Sequence, residues 1–187
     1  MSLRKVHRGL LDFCAPLRKA TKKDRFRWGI ETLIGGIAIF CLGIYVQNHY
    51  RIGWDRQVFR CLDARFYLID LKDKRLERNG LYVFHTASAE PILTRDMPLA
   101  KYLRGLPGDT VEVRESDQAV LVNGVVVAKG LPHLSKVPIE HRKFFFGKRV
   151  LKPDEYWVMG TKPLSFDSRY WGVIHEADIE ARAYELF

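Results

Sequence analysis

Residues 28–46, Trp28-Gly-Ile-Glu-Thr-Leu-Ile-Gly-Gly-Ile-Ala-Ile-Phe-Cys-Leu-Gly-Ile-Tyr-Val46, run for 19 positions with a single charge, Glu31, and nothing else in the chain restricts its folding as tightly. At a rise of ~1.5 Å per residue a helix of that length spans roughly 28 Å, about the thickness of a bilayer core. The uninterrupted apolar part, 33–46, is 14 residues, a length that also suits a signal-peptide core or a buried helix. A cleaved leader needs small residues at its cut site. Gln47-Asn-His-Tyr-Arg51 follow instead, bulky and polar, so the segment reads as an uncleaved anchor. Trp28 at one end and Tyr45 and Tyr50 at the other are placed as interfacial aromatics.

Charge divides the chain at the same place. Residues 1–27 hold nine basic side chains against two acids, Asp12 and Asp24, and so account for +7 of the net +9. The remaining 160 residues are nearly neutral. A basic segment before the span and little positive charge after it put the N-terminus in the cytoplasm and the 141 residues from Gln47 onward outside. The expected organisation is a cytoplasmic tail (1–27), a transmembrane anchor (28–46) and an extracytoplasmic domain (47–187). For a bacterium this means a single-pass protein of the inner membrane with a periplasmic domain. With the charge so placed, no nucleic-acid partner is expected, and the lipid bilayer is. A soluble protein with one buried helix is the alternative.

This topology reassigns the three cysteines: Cys14 falls in the tail, Cys41 in the bilayer, and Cys61 is the sole thiol of the outer domain. No disulfide scaffold is available to that domain, so Cys61 is either an inert packed side chain or kept for its reactivity. The domain must fold on its hydrophobic content, which is ample at 47% of the chain with 11 Phe, 8 Tyr and 4 Trp.

From Arg65 onward, short β-rich runs are broken by turn residues: 66–69, 81–84, 99–103, 110–113 and 156–159. Ala119-Val-Leu-Val-Asn123-Gly124-Val-Val-Val-Ala128 joins two apolar runs through Asn-Gly, which suits a type I′ hairpin. Leu106-Pro-Gly-Asp109 is a second turn between strands. The expected fold class is an all-β outer domain, folded antiparallel sheets or a barrel, on one N-terminal transmembrane helix.

Strand periodicity puts Leu99, Lys101 and Leu103 on one face, so Lys101 shares an apolar surface. A lysine there either snorkels to water or is buried. Burial disfavours the charged form of an amine and leaves a neutral base, as proton abstraction by lysine requires.

The run Lys101-Tyr-Leu-Arg-Gly-Leu-Pro-Gly-Asp109-Thr-Val-Glu-Val113 resembles the lysine box of the type I signal peptidases, the S26 family of Ser/Lys-dyad peptidases. Gly160-Thr-Lys-Pro-Leu-Ser165-Phe-Asp167-Ser168-Arg169-Tyr-Trp-Gly172 resembles that family's last box. The family's nucleophilic serine lies in a Ser-Met-x-Pro box about forty residues before the lysine in shorter members. Here that place reads Phe59-Arg-Cys61-Leu62-Asp-Ala64, forty residues before Lys101, and no Ser-Met-x-Pro occurs in the chain. Tyr102 stands where the family commonly has arginine.

The resemblance implies a signal-peptidase-like hydrolase with a Cys61/Lys101 dyad, most like the compact TraF-type peptidases of conjugative transfer systems that mature pilin subunits. It further implies that Ser165 hydrogen-bonds the Lys101 amine, that Asp167 and Arg169 form a bracing ion pair, and that the Cys61 N–H serves an oxyanion hole. Some members add a serine hydroxyl two residues before the nucleophile. Phe59 removes that donor here. Ser168 is read as structural. The partners implied are an exported precursor or a pilin subunit, and no cofactor or metal is implied.

Chemically the exchange is workable, since a thiol ionises near pH ~8.5, far below a hydroxyl, and its thiolate attacks carbonyls readily. Cys61 lies 15 residues beyond Val46, which keeps a nucleophile there close to the bilayer if the chain turns at once into the domain. Three other readings compete. His85, His133, His141 or His175 could serve a Cys/His protease, although none sits in a local motif. Zinc lacks His-Glu-x-x-His or paired Cys-x-x-Cys spacing. A catalytically inactive, membrane-anchored assembly factor keeping the peptidase fold is the non-enzyme alternative. The stretch His141-Arg-Lys-Phe-Phe-Phe-Gly-Lys-Arg149 fits a headgroup-facing or groove-lining segment, or a plain strand with charged ends.

Overall fold

The computed structural model describes residues 21–55, 57, 60–85 and 98–187. Most of the basic tail, Cys14 and Phe59 lie outside them. The chain divides into two compact units, residues 1–48 and 49–187.

Among the described residues the first unit consists of one helix, α1 (Lys22–His49), of 28 residues. It extends beyond the apolar run at both ends, because polar residues at either end of a span continue the helix into the headgroup region. Thr21 and Asp24 cap its start reciprocally: Thr21 N–H donates to Asp24 at 3.0 Å and Asp24 N–H to the Thr21 hydroxyl at 3.2 Å. The helix is long and apolar enough to cross a membrane, and none of its most apolar stretch is buried in protein.

The second unit is mostly antiparallel β-sheet. Its strands are β1 (Tyr50–Trp54), β2 (Phe66–Asp70), β3 (Leu81–His85), β4 (Pro98–Gly105), β5 (Thr110–Val113), β6 (Ala119–Val122), β7 (Val125–Lys129), β8 (Gly147–Val150), β9 (Glu155–Met159), β10 (Ile174–His175) and β11 (Ile179–Glu185). A seven-stranded sheet runs β1-β2-β11-β3-β4-β9-β10 and a four-stranded sheet β7-β6-β5-β8. Of the two forms expected, the domain takes folded sheets. Among the described residues, a four-residue helix, α2 (Ser168–Trp171), and three 3-10 turns are the helical additions to it. The His141–Arg149 stretch is a 3-10 turn running into β8, in which Arg142 is spent on the chain's own carbonyls, Val137 at 3.3 Å and Leu134 at 3.2 Å.

The turn chemistry follows the sequence at the β6–β7 hairpin, where Asn123 (φ 51°) and Gly124 (φ 80°) both take the left-handed conformation of a type I′ turn. Alternation along β3 sends Leu81 and Val83 to one face and Tyr82 and Phe84 to the other, and both faces are covered. Strand β9 splits likewise: Tyr156 and Val158 join the Tyr82/Phe84 cluster, while Trp157 and Met159 join a core shared with the smaller sheet. Three apolar clusters thus pack around the centre of the large sheet.

One feature of register positions the site. Strand β4 pairs with β3 from Pro98 to Tyr102, whereas its pairing with β9 runs only from Tyr102 to Gly105. Among the described residues no strand pairs with the β9 side of residues 98–101.

Candidate active site

Lys101 lies in that half of β4 between Leu99 and Leu103, and is only 1% exposed. It is therefore buried rather than snorkelling. Cys61, in the irregular segment between β1 and β2, is half-buried against the cluster of Leu62, Ala64, Tyr67, Leu81 and Val83, on the Ala100/Tyr102 side of the sheet. A cleft of about 430 Å³ is lined by both residues, with Trp54, Gln57, Tyr67 and Ile69 among its other walls. Within it the Cys61 thiol donates to Gln57 Oε1 at 3.8 Å.

The backbone, more than the side chain, fixes Cys61. Its carbonyl accepts the N–H groups of Thr161 at 3.0 Å and Lys162 at 3.2 Å, tying the segment to the loop after β9. Asp63 ion-pairs with Lys162, and the hydrogen bonds from Lys162 and Thr161 hold its carboxyl below the usual carboxylate range. From below, the Tyr67 phenol donates to the Ala64 carbonyl. Burial, together with the Asp55 charge, pushes that phenol up to about 12.

Gly160 is the tightest point of the site. A Cβ there would lie 2.2 Å from Ser165 Oγ and 2.5 Å from the Cys61 carbonyl oxygen, so the close approach of the two segments requires glycine. Ser165 is fully buried and its hydroxyl makes no hydrogen bond. The expected bond from Ser165 to the Lys101 amine is thus not formed: the hydroxyl is lodged in the close packing of Gly160 and the Cys61 carbonyl.

Asp167 and Arg169 form a bidentate pair, Nε to Oδ1 and Nη2 to Oδ2, both at 2.7 Å. At 0% and 2% side-chain exposure, this is no surface salt bridge. Burial opposes the charged guanidinium, but the hydrogen bonds and charge of Asp167 more than offset it, with a smaller contribution from Cys61, and the Arg169 pKa lies above its ordinary value. The pair braces the loop: Asp167 accepts the Gly160 N–H at 2.9 Å, and Arg169 donates to the Ser165 carbonyl at 3.0 Å. Ser168 accepts the Val158 N–H at 2.9 Å, a structural contact to β9.

None of His85, His133, His141 or His175 lines the cleft. His133 instead donates from Nε2 to the Leu164 carbonyl at 2.9 Å and packs edge-on to Phe166, holding both neighbours of Ser165. His85 pairs with Glu180 and His175 with Asp154. Among the described residues no three metal-ligating side chains gather into a metal site. Sequence reasoning passed over Gln57, Tyr67 and the positioning contact of His133, for which the sequence carries no local pattern.

The arrangement offers a thiol and a buried amine on one cleft, with a buried ion pair stiffening the wall behind them. The chain is 30% identical over 112 residues to the Probable signal peptidase I-2 of Synechocystis sp., covering 59% of this chain and 48% of that protein. The match thus spans about half the length of the curated relative. A solved signal peptidase I from Enterococcus faecalis V583 aligns with 26% identity over 58% of this chain and 96% of that one, at a TM-score of 0.36. The family described as signal peptidase, peptidase S26, matches residues 25–187, nearly the whole chain, and the protein belongs to that family.

Proposed function

We propose that this chain is a membrane-anchored endopeptidase that cleaves exported precursors or pilin subunits beside the bilayer, with Cys61 as nucleophile and Lys101 as general base. The observation that supports this reading is a cleft lined by both the half-buried Cys61 and the buried Lys101. The +7 of residues 1–27, ahead of the apolar run 28–46, supports a cytoplasmic N-terminus and a periplasmic domain on a bacterial inner membrane. The altered nucleophile box, which resembles that of the TraF-type peptidases, favours a role in conjugative transfer.

The chemistry runs in two stages. Lys101 Nζ takes the proton from Cys61 Sγ, and the thiolate attacks the scissile carbonyl carbon. The tetrahedral intermediate collapses as the C–N bond breaks, Lys101 returning its proton to the leaving amine and a thioester remaining on Cys61. Water, deprotonated by Lys101, then releases the acid and restores the thiol. If the substrate's own amine attacks instead, a new peptide bond forms and the product is cyclised.

A second reading, an inactive assembly factor of the same fold, is favoured by the unpartnered Ser165 hydroxyl. Thiol reactivity separates the two. With the full chain in detergent micelles, iodoacetamide labelling mapped to Cys61 at neutral pH is expected to outpace an unperturbed thiol, and Lys101→Ala to slow it to that rate. Labelling no faster than a free thiol would favour the inactive form.

A further inference from the structure

A nucleophile of this kind needs donors for the oxygen that becomes negative in the tetrahedral intermediate, and removing one such donor costs on the order of 10²–10³ in rate. Phe59, two residues before Cys61, has no group to give. The amide side chain that accepts a hydrogen bond from the sulfur is Gln57.

Its placement is specific. Asp55 N–H donates to the Arg65 carbonyl at 2.9 Å, anchoring the end of β1, and Asp55 Oδ1 in turn accepts the Gln57 N–H at 2.9 Å. These two bonds fix the backbone from which the Gln57 side chain reaches the thiol, its Oε1 accepting from Cys61 Sγ at 3.8 Å in the cleft that also contains Lys101. A carboxamide presents an acceptor at one end and two N–H donors at the other, and the two ends exchange places by rotation about χ3. The acceptor end suits the resting thiol. Once the proton has gone to Lys101 and sulfur has bonded to the carbonyl carbon, no S–H remains to donate, and charge has moved to an oxygen attached to that carbon. The amide then gains by turning its N–H groups to that oxygen.

We propose that Gln57 is a catalytic residue that supplies the side-chain donor of the oxyanion hole, in place of the hydroxyl that Phe59 lacks. This rests on the Cys61/Lys101 reading above. No bond to Gln57 is made or broken in the reaction, and its donation strengthens only as the carbonyl oxygen becomes anionic. The effect therefore belongs to kcat rather than KM.

The test compares wild type, Gln57→Ala, Gln57→Glu and Cys61→Ala as full chains in detergent micelles, on a fluorogenic precursor peptide carrying an apolar segment and an Ala-x-Ala site. Iodoacetamide labelling of Cys61 runs in parallel. Gln57→Ala is expected to lower kcat about 10²-fold with KM within about twofold. Gln57→Glu, isosteric but without the donor, is expected to be equally impaired. Alkylation forms no oxyanion, so neither variant should slow labelling in proportion. An unchanged kcat in Gln57→Ala would overturn the proposal, and so would labelling that falls in step with kcat, which would mean that Gln57 merely places the thiol. Cleavage that is absent in wild type or persists in Cys61→Ala would instead remove the dyad reading and this proposal with it.

Discussion

The carbonyl oxygen of Cys61 accepts the backbone N–H of Thr161 at 3.0 Å, joining two segments a hundred residues apart in the chain. Gly160 makes this contact possible. Gly160→Ala would drive a methyl into Ser165 Oγ and the Cys61 carbonyl, and a backbone atom cannot swing aside as a side-chain tip can. The expected outcome is a loss of about 1–3 kcal/mol in denaturant unfolding, with a larger fall in peptide cleavage than that loss alone would produce. Wild-type stability in Gly160→Ala would show that the two segments are not so tightly joined.

The Asp167–Arg169 pair predicts a larger stability effect. Asp167→Ala leaves a buried guanidinium uncompensated and releases the Gly160 N–H, so a loss of about 3–5 kcal/mol is expected by denaturant unfolding. An exposed pair would lose less than about 1 kcal/mol.

His133 couples the smaller-sheet side of the domain to the site loop through the Leu164 carbonyl. His133→Phe keeps a ring against Phe166 but removes the donor, and it should lower kcat/KM about tenfold by releasing Ser165 and its neighbours. His133→Gln, which restores an N–H at the same reach, should recover most of the loss. Equal impairment of the two variants would assign His133 to packing alone.

Two shifted groups set opposite pH edges for the segment carrying Cys61. The Tyr67 phenol ionises near 10 when unfolded and at about 12 when folded. Its stabilising contribution is complete below pH ~10 and is lost as pH rises through the folded value. Asp63 is shifted the other way, below the unfolded value of ~3.9, so its contribution is present above that value and fades as pH falls through the folded one. Ultraviolet titration of wild type beside Tyr67→Phe should remove one late-ionising tyrosine. An NMR titration of the Asp63 carboxyl should show the low midpoint, returning to the ordinary range in Lys162→Ala.

Much of this was legible in the residues because their patterns are local. The apolar run 28–46 predicted a helix, and α1, which contains it, is long and apolar enough to cross a membrane; Asn123-Gly124 predicted its turn. The two-residue period of β4 put Lys101 among Leu99 and Leu103, where it is buried. What could not be read was long-range. Strand order in the two sheets, the early end of the β4–β9 pairing and the approach of Gly160 to Cys61 depend on residues far apart in sequence. The resemblance implied a hydrogen bond between Ser165 and Lys101. In the structure that hydroxyl is enclosed without one. Gln57 carried no signal, because a glutamine in an irregular segment acquires meaning only when a thiol stands beside it.

The most direct measurement is cleavage of the same precursor peptide by wild type, Cys61→Ala, Cys61→Ser and Lys101→Ala under identical conditions. The dyad predicts turnover by wild type, a loss of at least ~10²-fold in Lys101→Ala, no turnover above background in Cys61→Ala, and at most partial activity in Cys61→Ser. Undiminished cleavage by either alanine variant would contradict it.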